Sequence, residues 1–325
     1  MAKLAMVEAI TQAMAYELEH DPAVVVLGED VGINGGVFRA TNGLQQRFGR
    51  ERVMDTPLAE ALIAGLSIGM AAMGMKPVAE IQFSGFIYPT VDQMINHAGR
   101  LRTRTRGRLH VPMVLRAPSG GGIHAPEHHS ESNEALFAHM PGIRVVMPSS
   151  PTRAYGLLLA AIRDPDPVVF LEPTRLYRMN KQEVEDNGEA LPLDTCFVLR
   201  EGEDVTLVSW GAMIHESLQA AAKLAEEGVG CEVIDLATVS PIDFETILGS
   251  VEKTGRLVIV HEAPRNCGVG AEVAATVAEK AIYSLQAPVE RITGYDTPMP
   301  LFKLEHDYMP SVERVIKGIR KVLEN

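Results

Sequence analysis

The histidine-rich segment around position 128 carries residue types that can do chemistry. It reads His124-Ala-Pro-Glu127-His128-His129, and its first five residues match the pattern H-x-x-E-H, in which two histidines bind zinc and the glutamate acts as a base. That chemistry needs both histidines one turn apart on a regular helix. Because Pro126 lies inside the motif and glycines precede it, we predict a catalytic or binding loop instead. Histidines that only satisfy hydrogen bonds are the alternative.

Glu60 is the single residue whose setting is most suggestive of catalysis. It ends the segment Asp55-Thr-Pro-Leu-Ala-Glu60, directly before the most apolar stretch of the chain. A carboxyl group desolvated there would have a raised pKa and could donate a proton. The alternative is an exposed carboxylate in the first helical turn, stabilised by the helix dipole. Composition does not choose between the two.

Two glycine-rich loops and a row of arginines are weaker candidates for binding. The loops Gly28–Gly36 and Cys267–Gly270 could bind phosphate through backbone N–H groups, but tight turns between strand and helix are the favoured interpretation. The arginines alternate at positions 100, 102, 104, 106 and 108 without interleaved aromatic residues. Ion pairing across a subunit interface is therefore favoured over nucleic-acid binding.

Length and composition bound the class of protein that can position these residues. The chain has 325 residues, of which 46% are hydrophobic, so it can bury the cores of roughly two domains. A net charge of −12 argues against general binding to nucleic acid or to an anionic membrane. Three scattered cysteines and an N-terminal stretch without a targeting pattern indicate a cytoplasmic protein.

Apolar β-branched runs alternate with helical patterns along the first half of the chain. The predicted strands cover Val24–Leu27, Val78–Phe83, Val111–Leu115, Arg144–Met147 and Val168–Leu171. The predicted helices between them cover Leu58–Met75, Pro89–Arg104, Ser132–Met140 and Thr152–Arg163. Continuous Val/Ile/Leu strands joined by helices predict an α/β fold with a mostly parallel sheet covered on both faces.

A polar, turn-rich stretch interrupts this pattern and a second α/β series follows it. We predict a first domain over residues 1–180, a linker over 181–203 and a smaller domain over 204–325. Strands of the second series are predicted at Val205–Ser209, Cys231–Asp235 and Leu257–Val260. Its helices are predicted at His215–Glu227, Asp243–Glu252, Ala271–Leu285 and Ser311–Leu323.

The most apolar stretch, Ala61–Met75, is too short to span a bilayer, which needs about 20 residues. Gly65 and Gly69 lie four residues apart and therefore on one helix face. Such a face lets another backbone approach closely, and it predicts helix packing in a core or at a subunit interface.

Several multi-residue motifs together resemble one family across essentially the whole chain. The chain is similar to the beta subunit of the thiamin-diphosphate-dependent 2-oxo-acid dehydrogenase (decarboxylating) component of pyruvate and branched-chain 2-oxo-acid dehydrogenase complexes. The motifs that carry the resemblance are Gly28-Glu-Asp-Val-Gly32, Gly35-Gly-Val-Phe-Arg-Ala40, Asp55-Thr-Pro-Leu-Ala-Glu60, Glu80-Ile-Gln-Phe83, Pro126-Glu-His-His-Ser-Glu131, Ala161-Ile-Arg-Asp-Pro-Asp-Pro167 and Gly211-Ala-Met-Ile-His215.

The resemblance implies a transketolase-like fold, made of a pyrimidine-binding domain and a transketolase C-terminal domain, and it implies roles for particular residues. Glu60 would hydrogen-bond the aminopyrimidine ring of thiamin diphosphate, and His129 would act as a catalytic histidine when the acyl group passes to a lipoyl arm. Further cofactor contacts would come from Glu29, Phe83, Phe86 and Tyr88, with Phe86 favoured for packing against the ring. A potassium ion would be held mostly through carbonyls of the loop Ala161, Ile162, Asp164 and Asp166, although Pro165 departs from the polar residue expected there.

The magnesium-binding Gly-Asp-Gly motif of thiamin enzymes does not occur in this sequence. The resemblance therefore implies that an alpha subunit holds the diphosphate and Mg²⁺, in a heterotetramer of two alpha and two beta subunits that acts on a lipoyl acyltransferase component. Pyruvate is the favoured substrate; branched-chain 2-oxo acids such as 3-methyl-2-oxobutanoate, and acetoin, are the alternatives. A zinc hydrolase, a non-catalytic scaffold and a transketolase-like synthase remain as more distant alternatives.

Overall fold

The computed structural model describes residues 2–324, which form two compact units. Unit 1 contains the chain up to Ser119 together with Leu136–Leu193. Unit 2 contains Gly120–Ala135 and the chain from Asp194 onward. The segment 120–135, which carries the histidine-rich motif, thus packs with the later half of the sequence.

Unit 1 is built on strands and helices that alternate along the chain. Its strands are β1 (Ala2–Ala5), β2 (Val24–Gly28), β3 (Val53–Asp55), β4 (Lys76–Glu80), β5 (Val114–Ser119), β6 (Arg144–Val146), β7 (Val168–Pro173) and β8 (Lys181–Val184). The α-helices up to Leu193 are α1 (Met6–His20), α2 (Leu44–Phe48), α3 (Glu60–Ala72), α4 (Val91–Gln93), α5 (Gly99–Arg104), α6 (Glu134–Ala138) and α7 (Pro151–Arg163). A π-helical turn, Met94–Ala98, joins α4 to α5, so the helix predicted over 89–104 is present with a local widening.

The strands of unit 1 pair in parallel in the order β6-β7-β5-β4-β2-β3. Every residue of β2 and β7 is buried, as the continuous apolar runs predicted. β5 is also buried throughout, but it begins at Val114 and ends at Ser119, later than the predicted strand Val111–Leu115. The helix α7 starts at a recognisable cap. Ser150 accepts a hydrogen bond from the N–H of Arg153, and Pro151 occupies the first turn of α7.

Two strands lie in the stretch predicted as a linker. β8 pairs antiparallel with β1, with Ala2 opposite Val184, and β9 (Phe197–Arg200) joins the sheet of unit 2. β8 was not predicted because three of its four residues are polar and exposed. A two-stranded ribbon buries little on either face, so it does not require the apolar residues by which a strand is recognised in a sequence.

Unit 2 is a second α/β layer with its own sheet. Its further strands are β10 (Val205–Ser209), β11 (Cys231–Asp235), β12 (Thr238–Ser240), β13 (Leu257–Val260) and β14 (Glu290–Ile292). Its helices are α8 (Met213–Ala225), α9 (Phe244–Thr254), α10 (Val269–Lys280), α11 (Glu305–Tyr308) and α12 (Val312–Leu323). The sheet order is β14-β13-β10-β11-β9, and only the β11–β9 pair is antiparallel. Across residues 2–324, no helix is both long and apolar enough to cross a membrane.

Candidate functional site

The best-defined site of unit 1 lies at the carboxyl end of its parallel strands. β2 pairs in parallel with β3 on one side and with β4 on the other, so the strands that follow β2 in sequence are added on opposite sides of it. Ligands in open parallel sheets bind in the crevice that such a switch creates. Glu29 and Phe83 lie on the loops after β2 and β4, and Glu60 begins α3 at the end of the loop after β3. The structure therefore gathers residues that the sequence spreads over more than fifty positions.

Glu29 and Glu60 lie near enough for their charges to interact. Glu60 is the half-buried first residue of α3, and the N–H of Thr56 donates to the carbonyl of Gly28 at 2.9 Å, which fastens the two loops together. Burial raises the pKa of Glu29, and the charges of Asp30 and Glu60 raise it further. A carboxyl pair of this kind can hold a proton and present both donor and acceptor oxygens to a ligand.

Aromatic side chains occupy the same end of the sheet. Phe83 directly precedes a 3₁₀ turn, Ser84–Thr90, that packs against α3. The ring of Phe83 contacts that of Phe86 edge to face, with the ring centroids 5.6 Å apart. Phe83 and Phe86 are half-buried, whereas Tyr88 is exposed. The side-chain amide of Gln82 donates to the carbonyl of Glu29 at 3.4 Å, which links the aromatic segment to the carboxylate loop. β4 ends at Glu80 and not at Phe83 as predicted, because the chain turns there to form this segment.

A buried ion network beneath this site was missed by sequence reasoning. Arg116 lies between Glu80 and Glu172, and the hydroxyl of Tyr177 donates to Glu172 at 2.6 Å. Burial alone would lower the pKa of Arg116, but Glu172 and Glu80 raise it; burial raises the pKa of Glu80. The available signal was a charged residue directly after an apolar run in each of three strands, since charges are rarely buried without partners.

The glycine loop that follows β2 has its backbone N–H groups occupied from within the chain. Gly32 donates to a carboxylate oxygen of Asp55 at 2.6 Å, and Gly36 donates to the carbonyl of Asp30 at 2.8 Å. Gly35 and Gly36 have φ of 74° and 76°, which only glycine adopts without strain. The loop is thus folded on itself by internal hydrogen bonds, but it runs over residues 29–43 between β2 and α2 and is not the tight strand-to-helix turn that was predicted.

His129 lies in unit 2, on a loop and not on a regular helix. Glu127–His129 form a single 3₁₀ turn, and His124 has a φ of 55°. His129 is half-buried while His124, Glu127 and His128 are exposed. Within residues 2–324, no group of three His, Cys, Asp or Glu side chains is arranged to hold a metal ion. The segment therefore has the loop structure that the sequence predicted and lacks the helix that the zinc motif requires.

The candidate potassium site spans the carboxyl end of α7, which holds Ala161 and Ile162, and the loop after it, which holds Asp164 and Asp166. The carbonyl of Ala161 accepts a hydrogen bond from the N–H of Asp164 at 3.4 Å. Both carboxylates already have cationic partners, since Arg144 lies 3.1 Å from Asp164 and Arg102 lies 3.0 Å from Asp166. The loop thus fits ligation through helix-end carbonyls but not through its carboxylates. Arg102 is the member of the arginine row that pairs here within the chain.

The chain is similar to two known domain families and to a solved structure. Residues 2–180 match the family described as transketolase, pyrimidine binding domain, and residues 194–315 match transketolase, C-terminal domain. A solved structure described as a split gene transketolase, inactive beta4 tetramer, has the same fold, with a TM-score of 0.81 at 23% identity over 99% of both chains. The fold and site therefore define a transketolase-like chain with a pyrimidine-binding domain.

Relatives with higher sequence identity indicate which kind of transketolase-like chain this is. Over 323 residues the chain is 51% identical to the pyruvate dehydrogenase E1 component subunit beta of Acholeplasma laidlawii, covering 99% of this chain and 98% of that protein. It is 50% identical to the subunit of the same name from Bacillus subtilis (strain 168), over 100% of both chains. The chain belongs to this family of beta subunits of thiamin-dependent 2-oxo-acid dehydrogenases.

Proposed function

We propose that this chain supplies the pyrimidine half of a thiamin diphosphate site in a pyruvate dehydrogenase. The observation that carries the proposal is the placement of the interacting pair Glu29 and Glu60 and of the ring pair Phe83 and Phe86 on the segments that follow β2, β3 and β4 at the switch point of the unit 1 sheet. Relatives at about half identity bear the name pyruvate dehydrogenase, which favours pyruvate over branched-chain 2-oxo acids and acetoin.

The donor set fits an aminopyrimidine ring. Such a ring offers nitrogen atoms that pair with a carboxyl group and a flat face that packs against aromatic side chains. Glu60 would bond a ring nitrogen, Phe86 and Phe83 would contact the face, and Tyr88 would lie at the exposed rim. Thiamin diphosphate, when bound, supplies the electron sink that decarboxylation of a 2-oxo acid needs.

The two carboxyl groups give this half-site its proton chemistry. The pKa of Glu29 is raised by burial and by the negative charges of Asp30 and Glu60, so Glu29 keeps a proton more readily than a solvated glutamate. Glu60 then offers its carboxyl oxygens for a hydrogen bond to a ring nitrogen. Half-burial excludes part of the water that would otherwise weaken that bond.

His129 would serve the second stage of the reaction. The net change consumes a 2-oxo acid and a lipoyl disulfide, and yields carbon dioxide, an acyl thioester on one sulfur and a thiol on the other. The disulfide is the oxidant, and its second sulfur must gain a proton. A half-buried imidazole on a loop is suited to deliver that proton or to orient the lipoyl arm.

The remaining parts of the enzyme would come from partners. Because the sequence has no Gly-Asp-Gly motif, we assign the diphosphate and Mg²⁺ to an alpha subunit in a heterotetramer of two alpha and two beta chains. The acyl acceptor would be the lipoyl acyltransferase component, and the assembly would work in the cytoplasm. Potassium at the carbonyls of Ala161 and Ile162 would stabilise the end of α7, so the melting temperature should be higher in KCl than in NaCl.

Reconstitution with the alpha subunit encoded by the neighbouring gene tests this function. The pair, with thiamin diphosphate and Mg²⁺, is expected to decarboxylate pyruvate faster than 3-methyl-2-oxobutanoate or acetoin. Either chain alone should be inactive. Substantial decarboxylation by the beta chain alone, or a reconstituted pair that acts on none of the three substrates, would refute the proposal.

A further inference from the structure

The loop that carries His129 is closed on itself and fastened at both ends to unit 2. The N–H of Gly120 donates to the carbonyl of Glu131 at 2.8 Å, which joins the ends of the loop. One carboxylate oxygen of Glu262 accepts the N–H of Gly121 at 2.9 Å and the hydroxyl of Ser132 at 3.1 Å. Glu262 therefore holds the loop where it begins and where it ends.

A second carboxylate holds the loop between these ends. Glu305, the first residue of α11, is 1% exposed and comes from a part of the sequence more than 180 positions later. Its Oε1 accepts the N–H of Gly122 at 2.7 Å, and its Oε2 accepts the N–H of His124 at 3.1 Å. Hydrogen bonds to a buried carboxylate are stronger than those between neutral groups.

The backbone of this loop needs such support. Gly120 and Gly122 have φ of 80° and 88°, and His124 has φ of 55°, a conformation that costs a side-chain-bearing residue about 1 kcal/mol or more. The glycine N–H groups that could have bound an external anion instead bind two anions of the chain itself. Glu262 and Glu305 therefore stabilise a loop conformation that the glycines permit and that His124 adopts only at a cost.

We propose that Glu305, together with Glu262, is a positioning residue for His129. It touches neither substrate nor cofactor in this assignment; it fixes the loop from which the imidazole acts. The inference rests on the proposed function, in which His129 serves acyl transfer to the lipoyl arm. A small displacement of such a group is enough to cost an order of magnitude or more in rate.

The decisive variant is Glu305→Gln, because the amide keeps the shape of the side chain but offers only one acceptor oxygen. Asp307→Asn is the matched control: it makes the same charge change on an exposed residue of the same helix, α11. Each variant is assembled with the alpha subunit. Three quantities are then measured: decarboxylation with ferricyanide as electron acceptor, reductive acylation of a free lipoyl domain, and amide hydrogen exchange of peptides spanning residues 120–132.

Glu305→Gln should lower reductive acylation about tenfold or more, keep decarboxylation within twofold of wild type, and speed exchange in the loop. Asp307→Asn should match wild type in all three measurements, and His129→Ala should show the acylation loss with a well-protected loop. Equal losses of both activities in Glu305→Gln, or unchanged acylation, would overturn the proposal.

Ser132→Ala provides a second test of the proposal if Glu305→Gln does not assemble with the alpha subunit. It removes one hydrogen bond to Glu262 and should lower acylation severalfold with faster loop exchange; wild-type behaviour in both would count against the proposal. Failure of the proposed function has a different signature, because the wild-type pair would then be inactive while the exchange measurement still reports on the loop.

Discussion

Arg116 donates two parallel hydrogen bonds to Glu172 in the interior of unit 1, from Nε to Oε1 at 2.7 Å and from Nη2 to Oε2 at 3.0 Å. Its Nη1 donates to Glu80 at 2.7 Å, so one guanidinium joins side chains of β4, β5 and β7. Tyr177, whose hydroxyl donates to Glu172, has its ring centroid 5.2 Å from that of Phe38. The ring centroid of Phe38 lies 5.5 Å from that of Phe83. The network thus extends from the sheet interior to the aromatic segment of the site.

Replacing Arg116 by methionine should destabilise the chain by about 3–5 kcal/mol, because two carboxylates are left buried without their cation. Urea denaturation followed by circular dichroism measures this loss. Arg47→Met is the control, since its pair with Glu19 is exposed and should be worth less than about 1 kcal/mol. Similar losses in the two variants would contradict the structural role assigned to the network.

His261 should make the chain less stable in mildly acidic solution. Its ring is fully buried and stacked on Trp210 at 5.0 Å, and burial together with Arg291 lowers its pKa to about 4. In the unfolded chain an imidazole takes up its proton near pH 6.5. Between these two values only the unfolded state gains the proton, so stability falls as the pH is lowered from about 6.5 to 4 and is insensitive to this group above that window.

The variant His261→Phe isolates this effect, since it keeps a ring over Trp210 and removes the titrating group. Between pH 7.5 and pH 5, the wild type should lose about 2 kcal/mol more unfolding free energy than the variant. His97→Gln, which removes an exposed ring, should retain the wild-type pH dependence. Parallel curves for wild type and His261→Phe would show that the buried ring does not contribute.

Glu60→Gln should reduce decarboxylation by the reconstituted enzyme about 100-fold or more, because the amide cannot accept or return a proton. The variant should fold and assemble, since Glu60 is half-buried at a helix end and lies outside the sheet. Steady-state rates with saturating cofactor measure the effect, and Glu51→Gln provides an exposed glutamate in the same unit as control. Full activity of Glu60→Gln would remove Glu60 from the proposed site.

Gly69→Leu should block assembly without harming the fold of the chain. A Cβ at Gly69 meets nothing within 4 Å, and the same side of α3 exposes Leu62, Leu66 and Met73. Such an exposed apolar face predicts a subunit contact, and a bulky side chain on it would keep the two subunits from approaching closely. Gly249→Leu is the matched control on α9, where the added side chain is equally unobstructed. Light scattering measures the mass of the assembly that each variant forms with the alpha subunit. A tetramer formed by Gly69→Leu would contradict the predicted subunit contact.

The parts of the fold that could be predicted are those whose burial produces a recognisable pattern of apolar residues in a short segment. Val24–Leu27 and Val168–Leu171 were predicted as strands and are confirmed, because a strand buried on both faces must be apolar throughout. β3 and β14 escaped prediction since each has only three residues, of which β3 ends on Asp55 and β14 begins with Glu290 and Arg291. Their pairing in the sheet, and not their sequence, makes them strands.

Site residues divide in the same way. Motifs and the resemblance they carry pointed to Glu29, Glu60, Phe83 and His129 from the sequence alone. Sequence reasoning did not predict the charge interaction between Glu29 and Glu60, because it depends on which strands are neighbours in the sheet. Nor did it find Arg116, whose partners lie 36 and 56 positions away.

The sequence by itself determined the class of the chain: the alternating elements, the multi-residue motifs and the missing Gly-Asp-Gly. These are properties of short segments, and they persist wherever the segments lie in space. Only the tertiary structure decided that segment 120–135 packs with unit 2, fastened by Glu262 and Glu305. Carboxylates far away in sequence satisfy the backbone N–H groups of that loop, and such long-range pairing leaves no local pattern to read.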